Sequence, residues 1–309
     1  MIIRVLGSGA GGGCPQWNCN CRICAGVRNG EPGFIARTQS SLAVSANGKD
    51  WVLLNASPDL RQQIAAAPAL NPANGALRES PIKAAVLTNG DVDHIAGLIN
   101  LREAQPFSIY ATQRVLDVLK ANAIFGILAS GVVDRIPLPL ATRTPIRGAD
   151  IDLGLSVEAF DVPGKIALYL EDAAAGPSLG TRSGDTIGLK ITDTATGAGF
   201  FYVPGCAEVD PVLSQRIKGA ALVFFDGTLY DDDEMIRAGL LAKSGERMGH
   251  VSISGPQGSI AAFSGLEVGR KIYVHINNSN PVLDAGSAER GAAEAAGWEI
   301  GYDGMEVRL

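Results

Sequence analysis

Thr88-Asn89-Gly90-Asp91-Val92-Asp93-His94 is the stretch that decides how this 309-residue chain is read. The run Lys83–Thr88 ahead of it reads as a strand, and about Ile95–Glu103 behind it as a helix. An acid-rich loop therefore sits at the carboxyl end of a strand, where open α/β sheets gather ligand groups. The chain has three histidines, His94, His250 and His275. His94 stands in this loop beside Asp93, and His275 closes a second apolar strand, Lys271–Ile276, ahead of the polar run Asn277-Asn278-Ser279-Asn280-Pro281. A lone strand histidine is ordinarily a satisfied core residue. An Asp-His pair at one strand end with a histidine at another makes a metal the better reading.

Further strands are expected at Ile2–Leu6, Phe107–Ala111, Ser156–Ala159 and Leu222–Asp226. Ser41–Ala46 and Trp51–Ala56 read as a pair about the turn Asn47-Gly48-Lys49-Asp50, and Thr186–Thr192 with Gly199–Val203 as a hairpin. Helices are expected from Ser57 to about Ala66 and from Thr112 to about Asn122, then at Pro211–Lys218, Pro256–Phe263 and Ser287–Ala296. Trp298–Leu309 reads as a terminal hairpin about Asp303-Gly304. No long linker divides the chain, and strands mixed with helices throughout predict a layered α/β protein. Gly7-Ser8-Gly9-Ala10-Gly11-Gly12 fits the dinucleotide pattern G-x-G-x-x-G after a strand. The following Cys14-Pro15-Gln16-Trp17-Asn18 cannot open the helix a pyrophosphate needs, so the glycines read as a turn letting backbone pass close to a site.

Four of the five cysteines, Cys14, Cys19, Cys21 and Cys24, fall within eleven residues; the fifth is Cys206. Cys19-x-Cys21-x-x-Cys24 can turn three thiolates onto one soft ion, which favours zinc. A structural zinc takes four ligands, and Cys14, His250 and Asn278 are the candidates for the fourth. An iron–sulfur cluster would ask for four cysteines. With 26 Lys and Arg against 32 Asp and Glu, the net charge is −6, which argues against a phosphate-backbone binder. No run approaches the roughly 20 apolar residues of a membrane span, and Ile2–Leu6 is too short for a signal-peptide core. A cytoplasmic protein is expected, with no nucleic-acid or membrane partner.

The Thr88–His94 loop resembles the T-H-x-H-x-D-H signature of the metallo-β-lactamase fold, with Asn89 and Asp91 where that family has histidines. Pro163-Gly164-Lys165 resembles its third-histidine turn, with Lys165 in the histidine's place. Val203-Pro204-Gly205-Cys206 resembles the strand ending in a bridging Asp, with Cys206 there instead. Tyr302-Asp303-Gly304-Met305-Glu306 is similar to the ending of cyclic-phosphodiesterase members, which also carry a C-x-C-x-x-C zinc loop. Gly11-Gly12-Gly13, Pro15-Gln16-Trp17-Asn18-Cys19-Asn20-Cys21, Met248-Gly249-His250 and His275-Ile276-Asn277-Asn278 together resemble the pyrroloquinoline quinone (PQQ) biosynthesis protein B family over the whole chain. The resemblance implies a four-layer αββα sandwich, with residues 1–309 as one domain bearing an N-terminal zinc loop.

The departures redirect the chemistry. In the hydrolases of this fold two metals share a bridging hydroxide, and the first takes three histidines. Those positions read Asn89, Asp91 and Lys165, and an ammonium repels a cation, so the first site reads as dismantled. Of the second, Asp93, His94 and His275 remain. Two histidines and a carboxylate with vacant positions form the set of non-haem iron(II) oxygenases. The expectation is an iron(II) hydroxylase acting with dioxygen on the tyrosine ring of a cross-linked Glu–Tyr precursor of PQQ. Asn89, Asp91, Cys206 and His250 would surround the metal, His250 orienting substrate or exchanging protons, and Asp226 is a further site candidate. A single-zinc hydrolase of the same fold and a soluble carrier of PQQ or its precursor are the alternatives, and a homodimer is entertained.

Overall fold

The computed structural model describes residues 1–73, 75–149, 151–172, 174 and 180–309. Strands β1 (Ile2–Gly7), β2 (Ser41–Ser45), β3 (Trp51–Leu54), β4 (Ile82–Val86), β5 (Phe107–Ala111) and β6 (Val133–Pro137) belong to a first sheet. A second sheet takes β7 (Arg143–Gly148), β8 (Ile151–Asp161), β9 (Ile187–Asp193), β10 (Gly199–Val203), β11 (Leu222–Asp226), β12 (Arg270–Val274) and β13 (Trp298–Ile300). The last strand, β14 (Glu306–Arg308), returns to the edge of the first beside β1.

Side-chain alternation builds the layers. Ile3 and Val5, Leu42 and Val44, Val52 and Leu54, Ala84 and Val86 point one way and meet Leu155, Val157, Leu189, Phe200, Phe224 and Ile272 of the second sheet. Their neighbours Ala43, Trp51, Leu53 and Ala85 point the other way, under Leu60, Val115, Leu116 and Leu119 of the helices Leu60–Ala66 and Gln113–Ala121. On the far face, Phe201, Val223, Phe225 and Tyr273 pack with Leu213 and Ile217 of Pro211–Ile217, and with Phe263 and Ala293. The result is the expected αββα sandwich, its central strands burying both faces as sheets between helices do, while β6, β7 and β14 keep exposed residues. Among the described residues no helix is long and apolar enough to cross a membrane.

Several expectations are corrected. Trp298–Leu309 is not a hairpin: β13 runs parallel to β12, while β14 runs antiparallel to β1 in the other sheet. Trp298 and Ile300 bury in the outer cluster of the second sheet, whereas Met305 and Val307 bury between the sheets, so one hairpin could not place both pairs. The helix expected from Ser57 starts at Leu60. Ser57 spends its hydroxyl on Gln63 Oε1, at 3.1 Å, instead of capping. The helix expected at Ile95 instead begins at Val92 and passes into a 3-10 turn, Ala96–Leu101, so Asp93 and His94 lie in a helical first turn. The helix expected over Pro256–Phe263 shrinks to Ser259–Ala262. Helix Arg22–Arg28 and strands β6 and β7 had no clear sequence signal.

Candidate metal centre

The centre lies where strand ends of the two sheets meet. β4 delivers the loop that carries Asn89, Asp91, Asp93 and His94. β11 and β12 are parallel neighbours with Asp226 opposite Val274, so their carboxyl ends bring Asp226 beside His275. Asn55, at the end of β3, moors the first loop: its Oδ1 accepts from Thr88 N at 2.9 Å and its Nδ2 donates to Thr88 Oγ1 at 2.9 Å. The glycine turn near the N-terminus passes alongside, as expected of it. A Cβ on Gly11 would lie 3.6 Å from Asp93 Oδ2, and Ala10 N donates to Ile276 O at 2.8 Å.

Asp93, His94 and His275 each present one donor atom within 4.8 Å of the others. Asp93 Oδ2 lies 3.0 Å from His275 Nε2 and 3.7 Å from His94 Nε2. His94 Nδ1 meets Asn89 Oδ1 at 2.7 Å, an acceptor that puts the proton on Nδ1 and leaves Nε2 with a lone pair. That Nε2 is buried without any hydrogen-bond partner. A native buried polar atom left bare calls for an ion or other partner, and a cation between it, Asp93 and His275 supplies one. Burial lowers His94 to about 4, so its imidazole is neutral and ready to bind. Burial would raise Asp93, but His94 and His275 outweigh it and hold the carboxyl well below its usual range. The residues present therefore fit a metal.

A second group, Asp226, His250 and His275, is equally close but is held together by hydrogen bonds. His250 Nδ1 lies 2.6 Å from Asp226 Oδ2, which also accepts from Cys206 N at 2.9 Å. Asp226 Oδ1 accepts from Thr228 Oγ1 at 2.6 Å and from Thr228 N at 3.0 Å. With those atoms engaged, this group supports the first rather than forming a ligand set. Burial works to raise Asp226, but His250 and His275 together hold it below its ordinary value.

The remaining expected residues fall around this pair of groups. Asp91 turns aside, its Oδ1 accepting from Leu168 N at 3.1 Å, and burial with Asp93 raises its carboxyl. Cys206 reaches the centre only through its main chain; its Sγ points at Glu208 O, 3.0 Å away, and burial pushes the thiol up. Lys165 faces Glu171 Oε1 at 3.1 Å, so its ammonium is paired away from the histidine role its position resembles. Sequence reasoning missed Asn55 and Thr228. The Asp226-Gly227-Thr228 spacing is a turn in which an Asp accepts from the backbone two residues on, and that was the available signal.

Some distance along the chain, the Cys19, Cys21 and Cys24 sulfurs also converge within 4.8 Å. Each accepts a main-chain N–H: Cys19 from Cys21 at 3.4 Å, Cys21 from Cys24 at 3.5 Å, Cys24 from Gln16 at 3.4 Å. Burial would raise the Cys19 thiol, but hydrogen bonds, the Cys21 N–H foremost, together outweigh it and hold Cys19 below its usual value, whereas burial pushes Cys21 up to about 11. Of the candidates for a fourth ligand, His250 is committed to Asp226, and burial raises the Cys14 thiol to about 12. Asn278 touches the cluster, with Nδ2 3.3 Å from Cys24 Sγ and its main-chain O 3.4 Å from Cys21 Sγ.

The model of the beta-lactamase superfamily domain matches residues 50–276. Coenzyme PQQ synthesis protein B of Rhodopseudomonas palustris is 52% identical over 312 residues, covering 100% of both chains. The protein of that description from Bradyrhizobium diazoefficiens is 52% identical over 311 residues, again with 100% of both covered. The crystal structure of Zn2+-bound PqqB from Methylobacterium extorquens superposes with a TM-score of 0.94 at 48% identity, covering 100% of each chain. With such relatives matched from end to end and the superfamily domain over residues 50–276, the chain belongs to the coenzyme PQQ synthesis protein B family, within the beta-lactamase superfamily.

Proposed function

We propose that the chain serves PQQ synthesis as an iron-dependent hydroxylase of the tyrosine ring in the cross-linked Glu–Tyr precursor. The donor set carries this reading: one carboxylate and two imidazole nitrogens meet at one point, and one of those nitrogens is otherwise bare. An iron(II) ion held by two histidines and a carboxylate keeps vacant positions and supplies dioxygen activation. With dioxygen and a two-electron reductant, one oxygen atom enters the ring C–H bond and the other leaves as water.

Asp93, His94 and His275 are the ligands in this reading, and Asn89 keeps the His94 proton on Nδ1. His250, bound through Nδ1 to Asp226, keeps Nε2 free and takes the phenolic proton. Asp91, tied to Leu168, and the main chain of Cys206 shape the pocket around them. The Cys19–Cys21–Cys24 loop holds zinc, with Asn278 as fourth ligand. All five cysteines are free, which suits the reducing cytoplasm.

A second reading, a single-zinc hydrolase, draws support from the Zn2+ in the Methylobacterium extorquens PqqB. One experiment separates them. Iron-loaded protein, a reductant and the Glu–Tyr diamino acid are incubated in air and without air. Hydroxylation predicts a product heavier by one oxygen atom only in air. Hydrolytic turnover with zinc alone would favour the second reading, and saturable binding without conversion would favour a carrier.

A further inference from the structure

We propose that Thr228 is the positioning residue of the metal centre, its hydroxyl joining the buried Asp226 carboxylate to the ring of His275 so that His275 presents Nε2 to the ion. This rests on the reading that Asp93, His94 and His275 share an ion, and not on what reaction that ion serves.

A threonine hydroxyl has one proton and two lone pairs. Around Thr228 Oγ1 stand Asp226 Oδ1 at 2.6 Å, His275 Nδ1 at 2.8 Å, His275 O at 2.9 Å and His250 Nδ1 at 3.1 Å. The contact to the carboxylate is the shortest and has the length of a charge-assisted O–H···O bond, so it takes the proton. The lone pairs of the oxygen are then left to accept from the imidazole nitrogens, and the contact with His275 O, itself only an acceptor, carries no hydrogen. Its partner at 2.8 Å, His275 Nδ1, must bring a hydrogen, so Nε2, 3.0 Å from Asp93, is the ring nitrogen left to exchange its proton for the ion. Histidines that bind metals commonly give their other N–H to a carboxylate or carbonyl, and that partner sets tautomer and ring orientation. Here the carboxylate acts one atom removed.

The backbone supplies an independent observation. His275 has a φ of 55°, in the left-handed region that non-glycine residues seldom enter. It lies just past β12, with Ile276 N pinned to Ser8 O at 2.9 Å and Gly227 N to Val274 O at 2.8 Å. In this conformation the ring and the carbonyl of His275 lie 2.8 and 2.9 Å from the same hydroxyl. Thr228 is 5% exposed, and its hydroxyl is ringed by polar atoms of Asp226, His250 and His275. The same oxygen touches His250 Nδ1, so one residue sets both imidazoles against Asp226.

The test measures Fe2+ affinity anaerobically, by competition with a chromophoric chelator, in the full chain. Thr228→Val keeps the shape and removes the hydroxyl; it should bind Fe2+ about 10–100-fold more weakly, while Thr228→Ser stays near wild type. Asp226→Asn touches no ligand atom directly, yet it should also weaken Fe2+ binding. The double variant should bind no more weakly than Thr228→Val alone, since both changes cut one chain of bonds. A purely structural role predicts a lower Tm for Thr228→Val with Fe2+ affinity unchanged, which would overturn the proposal, as would losses that simply add. Should Thr228→Val fail to fold, Asp226→Asn at wild-type affinity overturns it by itself. Absence of hydroxylation, with this order of affinities intact, would defeat the functional reading and leave the proposal standing.

Discussion

At the scale of the residue, the two nitrogens of His94 are in opposite circumstances, one hydrogen-bonded to Asn89 at 2.7 Å and the other buried and bare. An imidazole so placed is neutral and offers its bare nitrogen 3.7 Å from Asp93, as the proposed ion site requires. Removing a ligand should therefore empty this centre alone. Asp93→Ala is expected to bind Fe2+ at least about 100-fold more weakly with zinc at the cysteine loop retained. Cys21→Ser should do the reverse, losing zinc and lowering Tm by roughly 5 °C or more. Metal analysis of the two purified variants, beside their melting curves, checks the separation. The candidates Asp93, His94 and His275 were readable as chemistry, because an acid and an imidazole at strand ends have few other uses. Thr228 was not, because a hydroxyl is generic until the β11–β12 register puts Asp226 opposite Val274 and His275 one residue on.

At the scale of the element, the helix Val92–Ile95 and its 3-10 continuation carry Asp93 and His94 and are seated on the loop after β3. Ala56 N donates to His94 O at 2.7 Å and Gly97 N to Ala56 O at 2.9 Å. A Cβ on Gly97 would lie 1.9 Å from Ser57 O, a main-chain atom that cannot swing away. Gly97→Ala should thus cost about 2–3 kcal/mol and shift the turn that aims His94; urea unfolding and Fe2+ retention would both fall. A second element is the segment around Glu171, whose carboxylate meets Arg247 at 3.0 Å and Lys165 at 3.1 Å. Arg247 first, and then Lys165, hold Glu171 below its ordinary 4.5. A carboxyl depressed in the folded state adds stability above the unfolded value, and that contribution is lost as pH falls through the folded one. Glu171→Gln is expected to cost about 1 kcal/mol at neutral pH, with the gap to wild type closing below pH 4.5, as read from urea midpoints across that range.

At the scale of the whole molecule, the proposed metal centre is a joint between the sheets, with Asp93 and His94 coming from the first and His275 from the second. A second joint is Asp303, where the chain leaves the second sheet for the first. Its carboxylate accepts from Ser8 N and Oγ at 2.9 Å and from Thr38 N and Oγ1 at 2.7 Å. Asp303→Ala leaves those donors without their acceptor and the buried Arg37 without a nearby opposite charge, and should cost roughly 3 kcal/mol, seen as a lower urea midpoint with metal content unchanged. The amino-acid order alone determined the α/β layering, most strand positions, the cysteine loop and the acid–histidine pair, since period-two burial, turn residues and metal-donor types are local properties. Tertiary structure alone decided that the C-terminal strands part company, that Lys165 and Asp91 turn aside, and that Asp226 backs the histidines through Thr228. Those outcomes depend on which buried faces meet and which hydrogen bonds close across hundreds of residues, and no short stretch of chain encodes either by itself.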